Sequence, residues 1–158
     1  MKKTEIKKQI NAYSVIFNYI EELYTCYAEE NDLSYNEYLV LEAIYYAEGI
    51  SLQKCICAQT RLPKQNVNVA VRKFWELGYV DLREIPRDRR NKEICLTESG
   101  REYADRYFKK LEQIENFVAE GISDGQGGEL LKYAQTIKKR YEKAFSEYAS
   151  AERTDIRK

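Results

Sequence analysis

The stretch that decides the fold runs from Thr60 to Gly100 and reads TRLPKQNVNVAVRKFWELGYVDLREIPRDRRNKEICLTESG. It opens with a predicted helix from Pro63 to Leu77. Proline suits the first helical position, because the N–H that it lacks would have no acceptor there. Apolar residues recur at steps of three and four and form one face of this helix: Val67, Ala70, Val71, Phe74 and Leu77. Gly78 then ends the helix in the position that glycine favours.

The opposite face of this predicted helix is rich in amides and positive charge. Asparagine and glutamine can contact adenine bidentately in the major groove of DNA, and arginine suits guanine. Lysine and arginine also neutralise phosphates. We therefore interpret the segment as a recognition helix whose DNA-contacting residues are Lys64, Gln65, Asn66, Asn68, Val69, Arg72 and Lys73.

A basic hairpin follows the recognition helix. The predicted strands cover Tyr79–Arg83 and Lys92–Leu96, and residues 86–91 are predicted as a loop because Pro86 and a polar run fit no strand interior. The loop carries three arginines suited to phosphate or to a narrow minor groove: Arg87, Arg89 and Arg90. A recognition helix beside a basic hairpin is the form of a winged helix-turn-helix DNA reader. The alternative is an exposed amphipathic helix followed by a solvated loop.

The charge distribution favours a nucleic-acid partner although the whole chain is neutral. The 26 basic residues balance the 26 acidic residues, but residues 61–92 carry nine basic against four acidic side chains, a net charge of +5. Residues 1–50 carry a net charge of −5. A local basic segment gives a focused electrostatic footprint for phosphates, and we therefore expect double-stranded DNA as the partner.

Length and composition indicate one soluble domain. With 158 residues, of which 44% are hydrophobic, the chain can bury one good core, so we expect a single domain over residues 1–158. No segment approaches the roughly 18–20 uninterrupted apolar residues of a membrane span. The basic start lacks the apolar stretch of a signal peptide. We expect a cytoplasmic protein that makes no membrane contact.

The residues that usually perform catalysis or bind metals are scarce. The chain has no histidine, no Gly-rich phosphate loop and no nucleophile motif, so we expect no enzyme activity, no metal and no cofactor. Its four cysteines lack metal or redox spacing: Cys26, Cys55, Cys57 and Cys95. We interpret them as free thiols. The alternative is that one of them senses oxidation, which requires a neighbour that stabilises the thiolate.

Long helices with apolar stripes are predicted on both sides of this reader. One covers residues 5–30, and a Ser34…Glu37 capping box opens another to about Ala47. Ser51 is predicted to cap a short helix over residues 52–58, with residues 59–62 as the turn. Thr97 is predicted to cap a helix to about residue 120, residues 121–128 form a glycine-rich break, and the last helix covers residues 129–148.

The predicted fold is mainly α with a small β-hairpin wing. Residues 34–100 form a winged helix-turn-helix lobe, and residues 5–30 and 101–148 form dimerisation helices. The apolar stripes of these helices could instead belong to a monomer's own core. A two-fold dimer would place its recognition helices about 34 Å apart on a palindrome.

The motif Asp88-x-Arg90-x5-Leu96-Thr97-x-x-Gly100 resembles the wing of the multiple-antibiotic-resistance regulator (MarR) family. The resemblance extends over residues 5–148 through the order and lengths of the elements. It implies an obligate homodimer with a winged helix in each subunit. It also implies that Arg90 enters the minor groove and that Asp88 is a structural residue of the wing, pairing with a nearby arginine.

The same resemblance implies a small aromatic effector that binds between the dimerisation and DNA-reading lobes. Four of the chain's aromatic side chains are candidates for lining that pocket: Tyr13, Phe17, Tyr38 and Tyr45. They are equally consistent with packing residues that keep a hydrated hydroxyl.

The function expected from residues and resemblance together is sequence-specific transcription regulation. The chain would act as a ligand-responsive repressor and bind a palindromic operator as a homodimer. The alternative is a winged-helix module for protein–protein contact, in which the basic hairpin binds an acidic partner and no specific DNA is recognised.

Overall fold

Six helices and a small antiparallel sheet make up the computed structural model, which describes residues 2–47, 49–85 and 88–155, without the side chains of residues 88–91 and 148–155. In chain order, the elements are α1 (Lys2–Glu29), α2 (Tyr35–Tyr45), β1 (Ser51–Leu52), α3 (Gln53–Thr60), α4 (Lys64–Glu76), β2 (Val80–Ile85), β3 (Asp88–Leu96), α5 (Glu98–Glu120) and α6 (Asp124–Asp155). The sheet order is β1-β3-β2. The predicted fold class is confirmed. The chain divides into two compact units, residues 1–109 and 110–158.

The core of the first unit lies among α2, α3, α4 and the sheet. Its largest fully buried side chains come from all of these elements: Val40, Leu41, Ile56, Val67, Phe74 and Val80. The capping box predicted for α2 is present, because the Ser34 hydroxyl accepts from the Glu37 N–H and the Glu37 carboxylate accepts from the Ser34 N–H. Local hydrogen bonds thus fix the start of α2, against which α4 packs.

The predicted recognition helix is α4, with two corrections at its ends. Pro63 is the N-cap residue and not the first helical one, with extended backbone dihedrals. Leu77 lies at the C-cap and its side chain is 53% exposed, so it does not continue the buried face. The chain leaves the helix here and reverses at Gly78, whose φ of 73° is the left-handed conformation that glycine favours.

The short element before α3 was predicted wrongly. Ser51 does not cap a helix at Leu52, because both residues form β1 and pair with β3, Ser51 with Ile94 and Leu52 with Glu93. Two residues are too few to show a strand period, so no local pattern could indicate this strand. The helix ends at Thr60 and not at Ala58, and the turn begins at Arg61, whose φ is 60°.

The wing, defined as the β2–β3 hairpin, is longer than predicted. The strand β2 extends to Ile85 and β3 begins at Asp88, so most of the polar run assigned to a loop is strand. The rule that excludes polar runs from strands applies to buried strands. Here β1 pairs with β3 only at residues 93 and 94. Beyond that point the wing is a two-stranded ribbon, which tolerates polar side chains. Its register shifts between Glu84, which pairs with Lys92, and Ile85, which pairs with Asp88.

The second unit holds the end of α5 and the whole of α6. The predicted break over residues 121–128 is too long, because α6 begins at Asp124 and not at Glu129. A capping pair, overlooked among the glycines of the sequence, starts the helix earlier. The Ser123 hydroxyl accepts from the Gln126 N–H at 3.4 Å, and the Gln126 amide oxygen accepts from the Ser123 N–H at 3.1 Å. Among the described helices, none combines the length and hydropathy that crossing a bilayer requires.

Candidate nucleic-acid interface

The outer face of α4 is the polar surface that the sequence predicted. Five of the seven predicted contact residues are exposed, and we use the term outer face for these five: Lys64, Gln65, Asn68, Val69 and Arg72. The other two, Asn66 and Lys73, are half-buried. The buried side of α4 holds the helix rigidly through Val67, Ala70, Val71 and Phe74. A rigid helix with an exposed polar face can be presented to a groove without rearrangement.

Arg72 is available to a phosphate or a base. Its guanidinium Nε donates to the Glu76 carboxylate at 2.8 Å, and the two side chains are 78% and 53% exposed. An exposed pair of this kind contributes only about 0.3–0.5 kcal/mol to stability. Exchanging Glu76 for a DNA oxygen therefore has a small energetic cost.

Lys73, also predicted to contact DNA, makes contacts within the protein. Its ammonium donates to the Glu37 carboxylate at 2.8 Å and to the Asp32 carbonyl at 3.2 Å, which ties α4 to the start of α2. Burial raises the pKa of Glu37, but the hydrogen bonds from Lys73 and Ser34 and the charge of Lys73 outweigh burial and lower it below 4.5. The carboxylate of Glu37 thus balances the positive charge of Lys73. The two contacts of Lys73 hold α4 in position against the start of α2.

One residue of this surface was not predicted from the sequence. The Gln53 amide nitrogen, at the start of α3, donates to the amide oxygen of Asn68 on α4. Fifteen positions separate the two residues, so no local pattern joins them. The only signal in the sequence was an amide at the first position of the helix that precedes the recognition helix.

The wing brings further basic side chains to this lobe. Arg89, Arg90 and Asp88 lie on β3, and their side chains belong to the part of the chain that is not described, as does the whole of Arg87. Nearer the base of the wing, Arg83 and Lys92 are exposed. The register places Arg83 opposite Glu93 and Lys92 opposite Glu84, so each faces an acidic residue across the ladder.

The base of the wing is fixed by the Thr97-x-x-Gly100 segment. The Thr97 hydroxyl donates to the Gly78 carbonyl at 2.7 Å and accepts from the Gly100 N–H at 3.0 Å, which caps α5 as predicted. A Cβ at Gly100 would overlap the backbone of Tyr79. The motif therefore joins the end of α4, the wing and the start of α5 through contacts that only glycine allows.

The predicted effector residues fall into two pairs. Tyr38 and Tyr45 both pack on Phe108, with ring centroids 6.4 and 4.7 Å away. Tyr13 and Phe17 stack on each other within α1 at 6.2 Å. The cluster around Phe108 also includes Tyr107, whose buried hydroxyl has no hydrogen-bond partner among the described residues. This hydroxyl was not singled out from the sequence.

A helix, a turn and a packed recognition helix, followed by a two-stranded wing, define a winged helix-turn-helix protein. Residues 31–91 match the family model described as the MarR family. The chain is similar to HTH-type transcriptional regulator SarZ of Staphylococcus haemolyticus, at 34% identity over 49% of this chain and 52% of that protein. SarZ of Staphylococcus saprophyticus is 34% identical over 59% of this chain and 63% of its own length. The matched segment thus spans between about half and two thirds of these curated relatives.

The likeness to a solved structure extends further along the chain. A MarR family regulator from Neisseria meningitidis is 27% identical, with a TM-score of 0.77 over 88% of this chain and 97% of that one. The chain is thus similar to MarR family regulators both in its winged-helix segment and in its overall fold.

Proposed function

We propose that this protein is a sequence-specific DNA-binding transcriptional regulator. The observation that carries the proposal is the exposed outer face of α4, which holds Gln65, Asn68 and Arg72 on a helix whose other side is packed into the core. The wing beside it carries three arginines in sequence, Arg87, Arg89 and Arg90. The similarity to MarR family regulators supports the same function.

The two parts of the interface would read DNA in different ways. The helix α4 enters the major groove, where amides and arginine contact base edges. The wing follows the backbone, and its arginines bind phosphates or the adjacent minor groove. Phosphate contacts supply most of the affinity and base contacts supply the sequence preference. Lys73 supports this arrangement from behind by holding α4 against α2.

The regulator would act as a homodimer on a palindromic operator. Large apolar side chains are exposed on α1, on the end of α5 and on α6, among them Ile16, Phe17, Ile20, Ile114, Phe117, Leu131 and Phe145. Several large apolar side chains exposed on one helix favour an interaction site on that helix. A second copy of the chain would cover these faces and present two recognition helices to one duplex.

We further propose that the protein is a cytoplasmic repressor responsive to a small aromatic compound. The support is the aromatic cluster around Phe108, where the buried Tyr107 hydroxyl has an unused hydrogen-bonding group. A phenol or aromatic acid would stack on these rings and accept that hydrogen bond. The helix α4 packs on α2, which contributes Tyr38 to the cluster. Binding of a compound at the cluster would therefore change the position of α4 relative to DNA.

Binding to duplexes from the region upstream of the chain's own gene tests the proposal. We expect a retarded complex whose affinity falls steeply with salt, because several phosphates are neutralised per subunit. The change Arg90→Ala should weaken binding and reduce the salt slope by about 1 per subunit. The control, Arg106→Ala, removes an exposed arginine of α5 and should leave both unchanged.

No complex at low salt, with these duplexes or with random DNA, would contradict DNA binding and favour a protein-interaction module. If Arg90→Ala and Arg106→Ala reduce DNA affinity equally, the total positive charge of the protein, and not the wing, accounts for the affinity.

A further inference from the structure

The contact between Gln53 and Asn68 joins the two helices of the helix-turn-helix at the DNA-facing surface. Gln53 is the first residue of α3 and is half-buried, while Asn68 is exposed on the outer face of α4. The amide nitrogen of Gln53 donates to the amide oxygen of Asn68. In this arrangement the oxygen end of the Asn68 amide is directed towards α3.

Gln53 is well placed to hold that orientation. The strand β1 immediately before it is paired with β3, and Ile56, one turn later, is completely buried. The backbone of Gln53 is thus fixed by structure on both sides. The exposed side-chain amide of Asn68 would rotate freely in solvent without this contact. An exposed amide–amide hydrogen bond adds little to stability because water competes for both groups. Its importance would lie in the interface, where DNA excludes that water.

The orientation has a consequence for base reading. A bidentate contact with adenine uses the oxygen and the amino group of one amide together, the oxygen accepting from N6 and the amino group donating to N7. In this structure the oxygen of Asn68 already accepts from Gln53. That bond uses one of the two lone pairs of the oxygen and turns the oxygen towards α3, so the amino group, which can only donate, is the end more available to DNA.

Building on the proposed function, we propose that Gln53 is a specificity-determining residue that acts by orienting Asn68. It turns the Asn68 amino group towards the major groove, where this group selects a base edge that offers acceptors, N7 and O6 of guanine, over the bidentate edge of adenine. Gln53 itself is a positioning residue, because it acts through Asn68.

Selection from a randomised duplex library tests this inference and does not require a known operator. The full-length protein and four variants, Gln53→Ala, Gln53→Glu, Asn68→Ala and Gln59→Ala, would each enrich sequences from the same library. Comparing the wild type with Asn68→Ala identifies the base pair that Asn68 reads. We expect guanine there for the wild type, with the preference over adenine reduced about fivefold in Gln53→Ala.

The glutamate variant gives a readout that a merely structural role would not produce. A carboxylate at position 53 can only accept, so the Asn68 amide should turn round and present its oxygen to the groove. The preferred base at that one position should then change to adenine, whose N6 group is a donor. The added negative charge should lower affinity for all sequences, and because a glutamate can itself accept from cytosine N4, the change to adenine is the one that a turned Asn68 amide predicts. The control Gln59→Ala, an exposed glutamine at the other end of α3, should keep the wild-type preference.

Three results would overturn the inference while leaving the proposed function intact. The first is a wild-type preference for adenine at the base that Asn68 reads. The second is a base preference that stays unchanged in Gln53→Ala and Gln53→Glu. The third is a reduction of the base preference by Gln53→Ala that also occurs when Asn68 is already alanine. If the wild type enriches no sequence at all, the proposed function fails and this inference fails with it.

Discussion

Gly100 occupies a position where a side chain has no space. A Cβ there would overlap the carbonyl group of Tyr79, which is backbone and cannot rotate away. We predict that Gly100→Ala lowers the free energy of unfolding by about 1–3 kcal/mol, the usual range for overpacking. Chemical denaturation monitored by circular dichroism measures this change.

The matched control for Gly100 is Gly127, which is also helical but has no atom within 4 Å of the point where a Cβ would lie. Gly127→Ala should raise helix stability by about 0.5–1 kcal/mol, because alanine loses less backbone entropy. If both substitutions destabilise equally, the close approach of Tyr79 is not the cause.

The Tyr107 hydroxyl provides a second test at the scale of one residue. Burial, with smaller contributions from Tyr27, Tyr103 and Glu42, raises the pKa of Tyr107 far above its usual value of 10.0. The neutral hydroxyl has no hydrogen-bond partner among the described residues. We predict that Tyr107→Phe is neutral or stabilising by about 1 kcal/mol, because it removes an unsatisfied buried group. Thermal unfolding of the purified protein measures the effect.

Tyr27→Phe is the natural comparison for Tyr107→Phe. The Tyr27 hydroxyl donates to the Tyr107 carbonyl at 3.0 Å. Tyr27→Phe removes this hydrogen bond and should lower the free energy of unfolding by about 1 kcal/mol. A clear loss of stability for Tyr107→Phe would mean that the hydroxyl has a partner in solution, such as a bound small molecule.

Between elements, the Lys73–Glu37 ion pair connects α4 to α2. Because the pKa of Glu37 is lowered below 4.5, its contribution to stability is present above that pH and is lost as the pH falls through the lowered value. Glu37→Gln keeps an acceptor for the capping box but removes the charge. We predict a loss of about 1 kcal/mol at neutral pH that disappears in acid. Urea unfolding across a pH series measures it.

The exposed pair Lys138–Glu142 on α6 serves as the reference for this measurement, with its charged atoms 3.7 Å apart. Glu142→Gln should cost less than about 0.5 kcal/mol at any pH. A pH-independent loss for Glu37→Gln would show that capping, and not the ion pair, is the stabilising interaction.

The elements that the sequence predicted are those whose signals are local. The α2 capping box lies within four residues, and the buried face of α4 repeats over about two turns, so both were found. The strand β1 depends on partners at positions 93 and 94, more than forty residues away, and no local pattern indicates it. The start of α6 was missed because three glycines concealed a serine–glutamine cap. The Gln53–Asn68 contact was missed because it depends on how two helices pack.

For the whole molecule, the exposed apolar faces predict self-association. Phe117 is 78% exposed on α5, in the second unit. We predict that Phe117→Glu shifts the protein from dimer to monomer, because a charge cannot be buried without a partner. Analytical ultracentrifugation measures the mass, and DNA affinity should fall together with it.

Ile50, an apolar residue 53% exposed just before β1, provides the control, and Ile50→Glu should leave the mass unchanged. A wild-type protein that sediments as one chain at micromolar concentration would contradict the dimer, and so would a Phe117→Glu variant that still pairs.

The pairing of β1 with β3 has a consequence for how forces pass through the lobe. Ser51 and Leu52 lead directly into α3, and their ladder partners, Ile94 and Glu93, lie on the returning strand of the wing. A pull on the wing by a bent or stretched duplex is therefore transmitted through backbone hydrogen bonds to the first residues of α3. If the proposed interface binds DNA, the wing and α3 are mechanically coupled through this pairing, so displacement of one by DNA should displace the other.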